Sequence, residues 1–153
     1  MPKLLNPCVI FDLDGTICNV KHRQQFVATK PRNWDAWNAG ILQDKLNFPV
    51  GIVFKSLKKY NANLKMIVLT GRTDDYLEET KLWLDQNGIE PDEIYMRKSG
   101  DFRDDTEIKG EVVDKLEKMY NIVCAFDDRK RVVEMWVKRG IWVFDCAQTK
   151  GDF

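Results

Sequence analysis

A chain of 153 residues, 44% hydrophobic and 31% charged, has the size of one compact domain, and the lack of any low-complexity tract excludes a disordered or fibrous protein. Its 24 basic residues cancel its 24 acidic ones, which excludes a broad cationic surface for nonspecific duplex binding and leaves only a local basic groove open. No stretch approaches the ~20 apolar residues of a membrane span, and Met1–Pro7 lacks the apolar run of a signal peptide. A soluble, cytoplasmic protein with no membrane partner is expected.

In chain order, short apolar runs alternate with segments of helical period. Strands are predicted at Cys8–Asp12, Lys65–Thr70, Glu93–Met96, Ile122–Asp127 and Ile141–Phe144. Helices are predicted at Val50–Tyr60, at Thr73–Asn87 closed by Gly88, at Thr106–Tyr120, and at Arg129–Arg139 closed by Gly140. This is the pattern of an α/β fold: a doubly wound, Rossmann-like parallel sheet of about five strands, forming one domain over residues 1–153. Residues 20–47 break the alternation and read as a small, helical, cap-like insertion after the first strand. Within it, Trp34 and Trp37 at i and i+3 suit one buried helix face; stacking on a base or closing over a site, together with His22, is the alternative.

Cys8, Cys18, Cys124 and Cys146 lie far apart, with no C-x-x-C, and His22 is the only histidine, so zinc binding is not expected. A Ser-His-Asp triad would have to use His22 as its base. Chemistry is therefore sought among carboxylates at strand ends, where ligands bind in doubly wound sheets.

Cys8-Val9-Ile10-Phe11 runs into Asp12-Leu13-Asp14-Gly15-Thr16, and carboxylates at i and i+2 repel unless a cation or proton lies between them. Oxygen donors of this kind suit Mg2+, although Asp-Gly also suits a solvated turn. Thr70-Gly71-Arg72 offers a hydroxyl and backbone N–H groups at a strand end, suited to phosphate oxygens or to a plain structural turn. Asp127-Asp128-Arg129 ends another strand; one Asp would serve as a helix cap, and there are two. Lys109, early in a helix where acidic residues are preferred, is either surface charge or the ammonium that such a site needs.

These four segments, in this order, resemble the motifs of the haloacid dehalogenase superfamily of aspartate-nucleophile phosphatases. Leu69-Thr70-Gly71-Arg72, Tyr95-Met96-Arg97 with Gly100-Asp101 and Arg103, Phe126-Asp127-Asp128-Arg129, Val132-Val133-Glu134-Met135-Trp136 and Gly151-Asp152-Phe153 are further similar to polynucleotide 3′-phosphatases, as in the phosphatase domain of bacteriophage polynucleotide kinase. The resemblance implies a Mg2+-dependent phosphomonoesterase acting on phosphorylated nucleic-acid ends, or else a nucleotidase for mononucleotides or other small phosphate esters. It implies that Asp12 is nucleophile and metal ligand. Asp14 would be acid and then base, with its carbonyl on the metal, and its dual role asks for a raised pKa in the occupied site. Thr70 and Lys109 would hold the phosphoryl group. Asp128 would ligate the metal and Asp127 would orient water or Lys109, with these two roles open to exchange. Gly71, Arg72, Arg97, Arg103 and His22 would contact substrate, the arginines as a basic rim. Asn47-Phe48-Pro49 stands where the related sequences carry Asp-x-Pro. No G-x-x-x-x-G-K-[ST] loop occurs, so kinase chemistry is not expected of this sequence.

Overall fold

The computed structural model describes residues 4–147, so the Gly-Asp-Phe motif at 151–153 lies outside the described residues. Strand β1 is Asn6–Phe11, followed by the two-residue strands β2 (Cys18–Asn19) and β3 (Lys45–Leu46), then β4 (Lys65–Thr73), β5 (Glu93–Arg97), β6 (Tyr120–Asp127) and β7 (Val143–Asp145). The helices are α1 (Trp34–Ala39), α2 (Phe48–Tyr60), α3 (Leu77–Gln86), α4 (Asp105–Glu117) and α5 (Lys130–Lys138). Five strands form one parallel sheet in the order β5-β4-β1-β6-β7, so the expected α/β, doubly wound architecture stands.

β1 is the centre because it is apolar on both faces. Val9 and Phe11 face a core completed by Phe54 of α2 and by Trp83 and Leu84 of α3. Cys8 and Ile10 face the opposite core, filled by Val113 and Leu116 of α4 and by Val132 and Trp136 of α5. Period-two side chains thus bury both faces, as a strand covered by helices on both sides requires. Cys8, Cys18 and Cys124 are buried free thiols that serve as small hydrophobes.

Residues 20–47 are helical in the main, with 3-10 turns at Lys21–Phe26 and Ile41–Gln43 on either side of α1. The alternation analysis does not anticipate β2 and β3, which pair antiparallel through Cys18↔Leu46 and Asn19↔Lys45 and clasp the two ends of the insertion. Two-residue strands carry no period for a sequence to display. Trp34 and Trp37 do not form one buried face: α1 buries no residue, and Trp34 is 48% exposed. No helix among the described residues is long and apolar enough to cross a membrane.

Phe54 carries much of the contact between α2 and the sheet; it is fully buried, with its ring 5.0 Å from that of Phe11 and edge-on to it. Phe54→Ala should lower unfolding free energy by about 3–5 kcal/mol in urea denaturation, through lost burial plus an unfilled cavity.

Candidate active site

The strand register brings the polar groups together. Phe11 is opposite Val68 on one side and Phe126 on the other, so the next residues, Asp12, Leu69-Thr70 and Asp127, emerge side by side at the carboxyl ends of β1, β4 and β6. β1 is also where the winding reverses, since later strands add on both of its sides. Asp12 N donates to the Phe126 carbonyl at 2.9 Å and ties the loop to β6. The chain then turns at Gly15, whose φ of +82° is open to glycine; a Cβ there would sit 2.0 Å from Asp128 Oδ2.

Lys109 of α4 is 1% exposed and is the cation of the first cluster. Its Nζ donates to Asp12 Oδ1 at 3.0 Å and to Asp127 Oδ2 at 2.9 Å, and lies 3.7 Å from Asp105 Oδ2. Burial disfavours its charge, but Asp12, Asp127 and Asp105 outweigh that and push its pKa up. Asp127 has both oxygens engaged, because Oδ1 accepts from the backbone N–H of Asp128 at 2.9 Å and of Arg129 at 3.3 Å. Asp128 Oδ1 accepts from the Thr16 hydroxyl at 3.4 Å, and that hydroxyl also lies 3.4 Å from Asp12 Oδ2.

Burial, chiefly, raises the pKa of Asp12 well above the carboxylate range, with Lys109 opposing and the neighbouring aspartates adding. Burial likewise brings Asp128 to about 6. Three carboxylates, Asp12, Asp127 and Asp128, thus offer oxygens within 4.8 Å of one another against a single ammonium. Asp105 is compensated separately by Arg97 Nη2 at 3.3 Å and Arg129 Nη1 at 3.6 Å. The uncompensated charge is that of two carboxylates, and an all-oxygen donor set of that charge fits a divalent cation of the Mg2+ type.

Asp14 belongs to a second cluster. Its Oδ1 accepts from Arg23 Nη2 and from Arg72 Nη2, each at 2.6 Å. Asp44 accepts from Arg23 through Nε at 2.7 Å and Nη2 at 2.6 Å, and from Arg72 Nη2 at 3.3 Å. Two carboxylates therefore face two guanidinium groups. Burial pushes the Asp14 carboxyl up, but the charge and hydrogen bonds of Arg72, then those of Arg23, outweigh it and hold the carboxyl below its ordinary range. The raised value asked of Asp14 is not found in this arrangement, because two arginines bracket it.

The three arginines expected as a basic rim are each engaged within the protein. Arg72 is 4% exposed and reaches inward to Asp14 and Asp44. The irregular register between Thr70 and Thr73 takes Gly71 and Arg72 off the ladder with β5. Arg97 Nε then donates to the Gly71 carbonyl at 3.1 Å, and its Nη1 to the carbonyls of Asp101 and Arg103 at 2.9 and 2.7 Å. Arg103 is paired with Asp101 and Glu111. All three guanidinium groups are thus engaged by the protein itself, as loop carbonyls and carboxylates close by in the chain reach them first.

Thr70 is 1% exposed and its Oγ1 accepts from Arg72 N at 3.1 Å. Gly71 is required to be small, since a Cβ would meet Asp105 Oδ1 at 2.6 Å. His22 is exposed and its Nε2 donates to Asp44 Oδ1 at 2.7 Å.

Sequence reasoning omits Arg23, Asp44 and Asp105 from the site and gives Thr16 and Asn47 no role in it. Asp105 carries a signal, four residues before Lys109 on one helix face. Asn47 braces the Asp12–Thr16 loop, donating from Nδ2 to the Thr16 carbonyl and from N to the Ile17 carbonyl, each at 2.8 Å. Arg23 and Asp44 carry no sequence signal: a fully buried arginine looks like any surface arginine until its partners are known.

Removing one member of a buried ion cluster leaves the others uncompensated, so Asp44→Ala, beside a fully buried Arg23, should cost about 3–5 kcal/mol of stability in urea melts. In the first cluster the sign is opposite. Native Asp128 keeps a proton that the unfolded chain has lost once the pH exceeds 3.8, so the protein without divalent cations should lose thermal stability as pH rises from 3.8 through about 6. Asp128→Asn should flatten that slope in a pH series of melting curves.

Comparison with known proteins accords with this geometry. Residues 6–153 match the family described as the polynucleotide kinase PNKP phosphatase domain. A chain of the Pnkp1/Rnl/Hen1 RNA repair complex superposes with a TM-score of 0.78 at 34% identity, covering 97% of this chain and 44% of that one. A second structure of that complex gives the same score and identity, with 48% of its chain covered, so the present chain spans less than half the length of these relatives. The class C acid phosphatase of Bacillus anthracis shares the fold, with a TM-score of 0.67 at 14% identity, covering 97% of this chain and 70% of that one. With its two charge clusters at one sheet edge and its match from residue 6 to 153, the chain belongs to the PNKP phosphatase-domain family of haloacid dehalogenase-type phosphatases.

Proposed function

We propose that this phosphatase is Mg2+-dependent and removes 3′-phosphates from polynucleotide ends, with Asp12 as nucleophile. The charge deficit around Asp12, Asp127 and Asp128, one side of it closed by Lys109, is the observation that carries this reading. A bound Mg2+ would be held by Asp12, Asp128 and the Asp14 carbonyl, supplying the positive charge that lets an anionic ester approach these carboxylates. Asp128 is favoured over Asp127 as ligand, since both Asp127 oxygens are already hydrogen-bonded.

In the first step a carboxylate oxygen of Asp12 bonds to phosphorus, the bond from phosphorus to the ester oxygen breaks, and Asp14 gives that oxygen its proton. In the second, water attacks the phosphoryl group on Asp12 and loses its proton to Asp14. Arg23 and Arg72 keep Asp14 ionised before substrate arrives, the state needed for the second step. The negative charge of an incoming phosphate raises proton affinity nearby and so favours the protonated acid of the first. Lys109 offsets charge on Asp12 throughout, and Thr70 offers its hydroxyl to a phosphoryl oxygen.

Polynucleotide ends are favoured over mononucleotides because the insertion leaves the site open: the Asp14 side chain is 22% exposed and Asp128 is partly exposed. Relatives found in an RNA repair complex support the same substrate class. Cytoplasmic location fits that work.

With Mg2+, wild type should release phosphate from an aryl phosphate and from a 3′-phosphorylated oligonucleotide. Asp12→Asn and chelation should each abolish both activities. Cleavage of mononucleotides with the oligonucleotide left intact would replace this substrate by the nucleotidase reading, and undiminished activity in Asp12→Asn would remove the mechanism.

A further inference from the structure

The insertion carries a feature that neither cluster uses. Trp34 opens α1, a helix that buries none of its residues, and its ring is 48% exposed. The ring is nevertheless fixed in place. Asn33 caps the helix by accepting from Ala36 N at 3.0 Å, and Trp37 meets Trp34 edge to face with centroids 6.4 Å apart. The Arg32 guanidinium lies 5.8 Å from the centre of the Trp34 ring.

Behind it the contacts lead to the reactive end. The Arg23 guanidinium sits 4.1 Å from the centre of the Trp37 ring, donates to the Trp37 carbonyl at 3.2 Å, and reaches Asp14 at 2.6 Å. An exposed aromatic ring is thereby held in a fixed relation to Asp14 through two intervening side chains.

Charge is concentrated on the same segment. Residues 20–47 hold five basic residues, Lys21, Arg23, Lys30, Arg32 and Lys45, against two acidic ones, Asp35 and Asp44, in a chain of zero net charge. Lys21, Lys30 and Arg32 are exposed, and their side chains make no ion pair among the described residues. A flat ring among unpaired cations complements a base flanked by phosphates.

We propose that Trp34, with Arg32 at its ring, is a stacking platform for a base of the single strand whose 3′-phosphate reaches Asp12. This rests on the polynucleotide reading above. Stacking reads no base sequence, so the platform favours strands over small esters without selecting among bases. Fixing the ring in advance lowers the ordering cost of each encounter. It also reconciles zero net charge with a nucleic-acid substrate, because the cations need only line one short track.

The test uses the full chain with Mg2+, a single-stranded 3′-phosphorylated oligothymidylate of roughly ten nucleotides, and an aryl phosphate. Trp34→Ala should lower kcat/KM for the oligonucleotide, relative to that for the aryl phosphate, by about tenfold, and through KM. Trp34→Phe should restore most of the loss, and Arg32→Gln should lose less than Trp34→Ala. In the inactive Asp12→Asn background, fluorescence anisotropy should show the same weakening of oligonucleotide binding by Trp34→Ala. If wild type processes the oligonucleotide and Trp34→Ala leaves the ratio unchanged, the platform is overturned while the substrate reading stands, and the exposed ring is assigned to a protein partner. A wild type that ignores the oligonucleotide while cleaving the aryl phosphate overturns the substrate reading itself.

Discussion

Six aspartates meet within one end of a small sheet, and the structure depends on how their charges are compensated. Asp14 and Asp44 are matched by Arg23 and Arg72, two against two, in a cluster in which only the Asp14 side chain reaches the surface. Among the described residues Asp12 and Asp127 pair with Lys109 and Asp128 makes no ion pair, while Asp105 is shared among Lys109, Arg97 and Arg129. A balanced cluster is a structural strut. An unbalanced one beside it is a site with a standing requirement for positive charge, and that asymmetry gives the two motif aspartates Asp12 and Asp14 opposite pKa behaviour only two residues apart.

The strut also explains the insertion. Arg23 and Asp44 come from opposite ends of residues 20–47, and both are fully or nearly buried. Trp83 of α3 grips the Asp44 carbonyl through Nε1 at 2.8 Å, while β2 and β3 close the loop beside it. Asn47 then anchors the far end of the insertion to the Asp12–Thr16 loop. The outer face of the insertion is consequently carried on a frame whose inner side is locked to the sheet end that holds Asp12 and Asp14.

Backbone geometry at two glycines allows this density of charge. Gly15 lets Asp128 approach the loop after β1, and Gly71 lets Asp105 approach the carboxyl end of β4. Between Thr70 and Thr73 the ladder lapses, and Arg97 satisfies the carbonyl that the lapse frees. Residues expected to meet substrate are used here to hold the site together. An arginine near the carboxyl end of a strand serves equally well as a ligand contact or as an internal brace.

Local pattern alone determined the five strands of the main sheet, the crossover helices to within a few residues at their ends, and the strand ends that carry Asp12, Thr70 and Asp127, because burial on both faces forces apolar runs and abrupt charge at their ends; the place of Lys109 came from the family resemblance. Val9-Ile10-Phe11-Asp12 is legible for that reason, and so is Phe126-Asp127. Pairing was decided only by the tertiary structure: Arg72 turns inward, Arg23 and Asp44 join the site, Trp34 stands exposed while Trp37 lies under a guanidinium, and Asp14 is held ionised. Hydrophobic period is a property of neighbours in the chain, whereas the state of a charge depends on partners brought from 21 and 58 residues away, and no local window contains them.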